Sequence, residues 1–290
     1  MMSICNMRQI FMFACFQIII LLLCLCAVSA SAQESGRCFR NLNPQFKGYS
    51  KQLQGYILKI EQKKDIKYED YQCRASVISP GGKVIFQADD SGMELNKITG
   101  KDLNGDGRPD AVFEGYSGGA HCCWTYWIVS LGDRPGLIQK IENETAASFQ
   151  DINKDGRIEI RTLDGAFDYF DSMAHAYTPF PTVIFRLEGR TLKDVGYECK
   201  DVYDRDIAKM RSELDPSALD RFRTGKNIND GELDETISTV LTIVLDYLYS
   251  GREQAAWQAL REMWPSYDVP RIRKKIIETR ANGILKKVQR

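Results

Sequence analysis

The sequence has no surplus of either charge. Its 39 Lys+Arg balance 39 Asp+Glu, which excludes bulk nucleic-acid binding, because no basic field is left to hold a polyanion. Histidine is almost missing. His121 and His175 are the two in the chain, and His175, set in Ala174-His-Ala-Tyr177, reads as a packed or surface residue rather than a catalyst. The C-x-x-C spacing of common zinc sites does not occur. Between about residues 71 and 197 no helical period is found, which excludes a helical domain there.

What is present begins at the N-terminus. Arg8 is the first and only charge before an apolar run over residues 10–28, interrupted by Gln17 and followed by Ala30-Ser31-Ala32. This is the pattern of a secretory signal peptide over residues 1–32, cleaved before Gln33, and it predicts a secreted or periplasmic protein. The alternative is a membrane anchor, since an uncleaved run of this length can span a bilayer. Cys24 and Cys26 each follow a leucine where lipid attachment wants a small residue, which sets a lipoprotein aside. The mature chain of about 258 residues is long enough for one large domain or two smaller ones, with 38 Lys+Arg against 39 Asp+Glu.

Cleavage leaves Cys38, Cys73, Cys122, Cys123 and Cys199. Export favours oxidation, so up to two disulfides and an odd thiol are expected, with the connectivity open. Adjacent residues on a strand point to opposite faces, so Cys122 and Cys123 are expected to take different partners, with Cys73 and Cys199 as candidates. The same alternation argues against His121-Cys122-Cys123 as one tetrahedral zinc or copper site.

Short runs rich in Val, Ile, Phe, Tyr and Trp fall at residues 75–78, 83–87, 111–116, 123–130, 157–162 and 182–187, separated by Gly, Pro and Asp. They predict an antiparallel β domain over residues 33–200. A helical tail follows over residues 201–290. Leu233, Ile237, Val240, Leu241, Val244, Leu245 and Leu248 recur at helical spacing. A second helix is expected at 253–264, with Trp257, Leu260 and Trp264 inward and Pro265 closing it. A third starts at Asp268 as cap and carries Ile272, Ile276, Ile277, Ile284 and Leu285. The third is basic, with Arg271, Arg273, Lys274, Lys275, Arg280, Lys286, Lys287 and Arg290. It is read as a solvated outer face, with contact to an anionic membrane as the alternative.

The segments 102–110 and 151–159 both read D-x-N-x-D-G-R-x-(D/E), and their first residues stand 49 positions apart. Calcium takes six to eight hard oxygens, and side chains at positions 1, 3 and 5 of a tight loop supply three of them. Glycine at position 6 permits the sharp turn. The candidate ligands are Asp102, Asn104, Asp106, the Arg108 carbonyl and Asp110, and in the second loop Asp151, Asn153, Asp155, the Arg157 carbonyl and Glu159. Neither is an EF-hand, because position 12 is Phe113 or Thr162 where a bidentate Glu is needed.

The pattern resembles the FG-GAP and VCBS-type calcium loops of integrin-like β-propeller repeats, in which a nine-residue loop joins two strands of a blade. The resemblance covers roughly residues 95–165 and implies that the side chains at positions 1, 3, 5 and 9 hold calcium. The string Gly118-Gly-Ala-His-Cys-Cys-Trp124 is similar to secreted bacterial proteins with calcium loops. The repeat period suits a propeller blade. Propellers close with more blades than this region can supply, so an incomplete propeller-like or sandwich-like domain is expected, α+β with the helical segment.

One enzymatic alternative stands beside this reading. Gly115-Tyr-Ser117-Gly-Gly119 matches G-x-S-x-G, and Asp164 or Asp168 followed by His175 gives the chain order of a serine hydrolase triad. That motif requires strand, turn and helix, whereas a strand-like run follows Ser117. Trp124, Tyr126 and Trp127 are candidates to line a pocket or to be core, and Asn143-Glu-Thr145 fits a glycosylation sequon. The expectation is an exported calcium-binding scaffold or interaction module for a protein or glycan ligand, with two structural calcium ions stapling the strand connections.

Overall fold

Strands form where β-branched and aromatic residues cluster between turn residues. They are β1 (Arg37–Phe39), β2 (Tyr49–Leu53), β3 (Tyr56–Gln62), β4 (Cys73–Ile78), β5 (Val84–Asp90), β6 (Gly92–Leu95) and β7 (Asp110–Tyr116). Then follow β8 (Trp124–Ser130), β9 (Gly136–Asn143), β10 (Ser148–Gln150), β11 (Glu159–Leu163), β12 (Thr182–Glu188) and β13 (Thr191–Asp194). The computed structural model describes residues 36–39, 46, 48–63, 73–119, 123–225 and 233–288. The expected signal peptide and its alternative, a membrane anchor, therefore lie outside the described residues, as do His121 and Cys122.

The strands make three antiparallel sheets in the orders β2-β3-β4-β5, β1-β6-β7-β8-β9 and β10-β11-β12-β13. Each is a meander of sequential strands, and β1 alone joins out of order, on β6. The sheets stay open, as expected for a β domain too short to close a propeller.

The middle sheet is buried on both faces. Along β7, Ala111 and Phe113 enter one apolar core with Leu58, Ile60, Val77 and Phe86 of the first sheet, while Val112 enters the other. Along β8, Trp127 and Val129 face the first core, and Tyr126 and Ile128 the second. Burial on both faces is why these strands read as nearly continuous apolar runs. The disulfide Cys38–Cys73 ties β1 in the middle sheet to β4 in the first.

The second core continues through Ile160, Phe185 and Leu187 of the third sheet into the helices α1 (Lys200–Glu213), α2 (Pro216–Thr224), α3 (Asp234–Tyr249), α4 (Glu253–Met263), α5 (Val269–Arg280) and α6 (Ile284–Val288). All seven periodic residues from Leu233 to Leu248 are buried. The helical segment thus packs on the third sheet around one shared core, and 37–290 forms a single unit.

The expected third helix is two helices. Gly283 lies against the buried Asp164 carboxylate, and the chain turns there so that the Ile284 amide donates to both Asp164 oxygens at 3.1 Å. Asp268 precedes α5 without capping it. Its carboxylate accepts instead from Trp264 Nε1 (2.9 Å) and Arg271 Nε (2.6 Å). Ile277 is exposed, whereas Ile272, Ile276 and Ile284 are buried.

The basic helix spends several of its charges on the protein. Arg271 donates twice to Asp171 at 2.8 Å, Lys275 joins the same carboxylate at 2.7 Å, and Arg273 and Arg280 lie over the rings of Trp257 and Tyr249. Among the described residues no helix is long and apolar enough to cross a membrane.

Candidate metal centre

Both oxygen-rich loops occupy the same place in their sheets. Loop 102–110 joins β6 to β7, and loop 151–159 joins β10 to β11, each linking the first two strands of a meander. Their backbones also agree. Positions 4 and 6 are left-handed in both, with φ of 79° at Gly105 and Gly107, 63° at Lys154 and 88° at Gly156. Lysine tolerates that region poorly, so the conformation at Lys154 is imposed by the rest of the loop.

The side chains at positions 1, 3 and 5 hold the loop through its own amides. Asp102 accepts from Gly105 N (2.7 Å) and Gly107 N (2.8 Å), Asn104 Oδ1 from Asp106 N (2.9 Å), and Asp106 Oδ1 from Arg108 N (2.8 Å). In the second loop Asp151 accepts from Asp155 N and Gly156 N, both at 3.0 Å, Asn153 Oδ1 from Asp155 N (3.1 Å), and Asp155 Oδ1 from Arg157 N (2.9 Å). A carboxylate oxygen has further lone pairs after accepting one amide, so this set still offers hard donors to a cation.

Position 9 is where the loops part. Asp110 and Glu159 are both fully buried. Each accepts from the amide of position 2, Leu103 N to Asp110 Oδ2 and Ile152 N to Glu159 Oε2, both at 2.8 Å. The second oxygen of Glu159 takes Arg186 Nε at 3.0 Å. The second oxygen of Asp110, Oδ1, is buried with no hydrogen-bond partner among the described residues. Burial pushes the Asp110 carboxyl up to about 7. The Leu103 and Asn104 amides oppose this, and the charges of Asp106 and Asp102 add to it.

The difference arises across the sheet. Asp110 is paired with Ser130 on β8, and Glu159 is paired with Arg186 on β12. Ser130 is small, and its Oγ accepts from Gly132 N at 3.1 Å. A Cβ on Gly132 would stand 2.7 Å from Asp106 Oδ2, so only glycine lets this turn lie against the loop. Arg186, 4 % exposed, reaches Asp155 Oδ2 at 3.1 Å and Glu198 Oε2 at 2.7 Å as well as Glu159.

Among the described residues no group of three or more carboxylate, imidazole or thiol side chains is already arranged to hold a metal ion. The donor set is nonetheless all oxygen, which suits calcium and not the softer metals. The first loop also touches the third sheet, because the Asn104 carbonyl accepts from Gly189 N at 2.8 Å in the β12–β13 turn.

The hydrolase residues are distributed otherwise than the motif requires. Gly115 lies inside β7, where a Cβ would meet Trp127 at 2.6 Å. Ser117 sits in the β7–β8 link, its hydroxyl accepting from Cys123 N at 3.0 Å, and strand β8 follows in place of a helix. Asp168 and His175 are together, Oδ1 to Nδ1 at 2.7 Å. Asp164 is buried elsewhere, accepting from Tyr249 OH at 2.6 Å.

The candidate pocket aromatics are largely core. Tyr126 and Trp127 are buried, and Trp124 is half-buried against Tyr116 at 4.9 Å between ring centres. Asn143 is buried, with Nδ2 within 2.8 Å of Thr145 Oγ1, Thr162 Oγ1 and the Leu163 carbonyl, so the sequon amide is already engaged.

The cysteine pairing differs from that expected. Cys73 bonds Cys38, because β1 beside β6 brings the two Cα atoms to 5.9 Å. Cys199 is a buried free thiol, and burial pushes its pKa up to about 11. Cys123 is disulfide-bonded too, with neither of these cysteines.

Arg186 is the site residue that the motif did not reveal. The available signal was a lone arginine in a run of six buried strand residues, Thr182 to Leu187, which demands a buried carboxylate partner. Comparison with protein-family models, with curated proteins and with solved structures finds no match.

Proposed function

We propose that the chain is an exported β module stapled by calcium, serving as a scaffold or interaction unit for a protein or glycan ligand. The observation that carries the metal is Asp110 Oδ1, a buried carboxylate oxygen in an oxygen-rich loop with no hydrogen-bond partner among the described residues. A buried carboxylate with one oxygen unpaired is costly, and a divalent cation beside it offsets that cost. The side chains of Asp102, Asn104, Asp106 and Asp110 and the Arg108 carbonyl would hold the ion, with water completing its shell. When bound, calcium supplies charge neutralisation and a fixed loop. Because Asn104 also carries the contact to Gly189, fixing this loop steadies the packing of the middle and third sheets.

Calorimetry of the chelated protein tests the reading. Calcium uptake and a raised melting temperature are expected, with stabilisation of about 2.7 kcal/mol at a hundredfold excess over Kd. The Asp110→Asn variant should lose both. No uptake and no thermal shift at millimolar calcium refutes the proposal. A serine hydrolase through Ser117 is the second reading, favoured by the Asp168–His175 pair. Fluorophosphonate labelling that disappears in Ser117→Ala would move the assignment there.

A further inference from the structure

We propose that the second loop carries its own cation: the Arg186 guanidinium takes the place a metal would hold beside Glu159 and Asp155, so that the chain binds one calcium ion, in the first loop. This rests on the reading of the first loop as a cation site. The two loops share their spacing, their backbone and their position in a meander, so they act as internal controls for each other. They differ in the residue opposite position 9, which is Ser130 in one and Arg186 in the other.

In the second loop the buried Glu159 and the exposed Asp155 are both already matched to a positive charge. Arg186 Nε reaches Glu159 at 3.0 Å and Nη2 reaches Asp155 at 3.1 Å, joining positions 9 and 5 as a bound ion would. The third arm of the fork, Nη1, is held by Glu198 at 2.7 Å, just ahead of α1. A planar guanidinium with three carboxylate partners is a satisfied buried group. A calcium ion entering beside it would meet like charge in a partly desolvated site and would have to displace the hydrogen bonds to Glu159 and Asp155. In the first loop the corresponding oxygen has no hydrogen-bond partner among the described residues, and the facing residue is small and neutral. The sequence motif repeats, and the electrostatic solution does not.

Calcium titration by calorimetry, with the bound metal counted by atomic emission after gel filtration, distinguishes the cases on the full exported protein. The wild type should take up one ion, Asp151→Asn should keep it, and Asp110→Asn should lose it. Arg186→Ser, which copies the Ser130 environment, should gain a second site. Two ions in the wild type, with one lost in Asp151→Asn, would overturn the inference while leaving the calcium reading intact. One ion that survives Asp110→Asn and is lost in Asp151→Asn would overturn it as well. No bound ion in the wild type would remove the calcium reading itself and the inference with it. If Arg186→Ser does not fold, the Asp151 and Asp110 variants still decide. If it folds and takes up one ion, the guanidinium is not what closes the second loop.

Discussion

Asp246 shows how a single buried group sets a pH dependence. It sits on the inner side of α3, almost fully buried, with the Thr182 amide at 3.4 Å as its neighbour. Burial pushes its pKa up to about 7. The Thr182 amide opposes this, the Asp206 charge adds to it, and Arg161 and Arg252 lower it. The unfolded carboxyl titrates near 3.9. The folded state therefore holds a proton that the unfolded chain releases, and the stability this gives is full below about pH 4 and is lost as pH rises through 7. Asp246→Asn removes the titration. Relative to the wild type it is expected to be more stable at pH 8 by at least about 1 kcal/mol, or roughly 2–4 °C in Tm. Thermal melts of both proteins at pH 5 and pH 8 check this, and an equal difference at the two values would contradict it. At this scale the side chains of the two oxygen-rich loops were legible in the sequence because their chemistry depends on local spacing. Asp246 was not, because its burial depends on β12 packing over α3.

Elements were legible where their residues report one dominant environment. The strands of the middle sheet and the apolar face of α3 stand out because burial demands apolar residues there. The edge strand β2 (YSKQL) and the helix α1, with Val202, Tyr203 and Ile207 as its buried residues, carry too few apolar positions to declare themselves. The break between α5 and α6 was hidden for another reason, since its cause is a carboxylate 120 residues away in sequence. Gly283→Ala would drive a methyl group into Asp164, which Tyr249 and Ile284 hold in place. It is expected to cost about 1–3 kcal/mol in chemical denaturation. Gly81→Ala, with open space around its Cβ, should be close to neutral. Equal stability of the two variants would contradict the assigned role of Gly283.

At the scale of the whole molecule, the Cys38–Cys73 cross-link and two apolar cores join the layers. Cys38–Cys73 closes a separation of 35 residues, and a cross-link over such a span is worth about 4 kcal/mol by constraining the unfolded chain. Cys38→Ser with Cys73→Ser should lower stability by roughly that amount in denaturant titrations, without changing the calcium stoichiometry. The helices are part of the second core. A chain ending at residue 199 would expose the apolar face of the third sheet and is expected to bind a hydrophobic dye and lose its cooperative melt. A sharp transition in that truncated chain would show that the β layers fold without their helical cover.

The repeated oxygen loops, the antiparallel character of the β region and the buried stripe of α3 were determined by sequence alone, since each depends on residues within a few positions of one another. Which loop keeps an unmatched carboxylate was decided only in the tertiary structure. Strand pairing sets Ser130 opposite Asp110 and Arg186 opposite Glu159. The sign and size of a cross-strand neighbour fix the electrostatics of a buried oxygen as firmly as the loop that carries it.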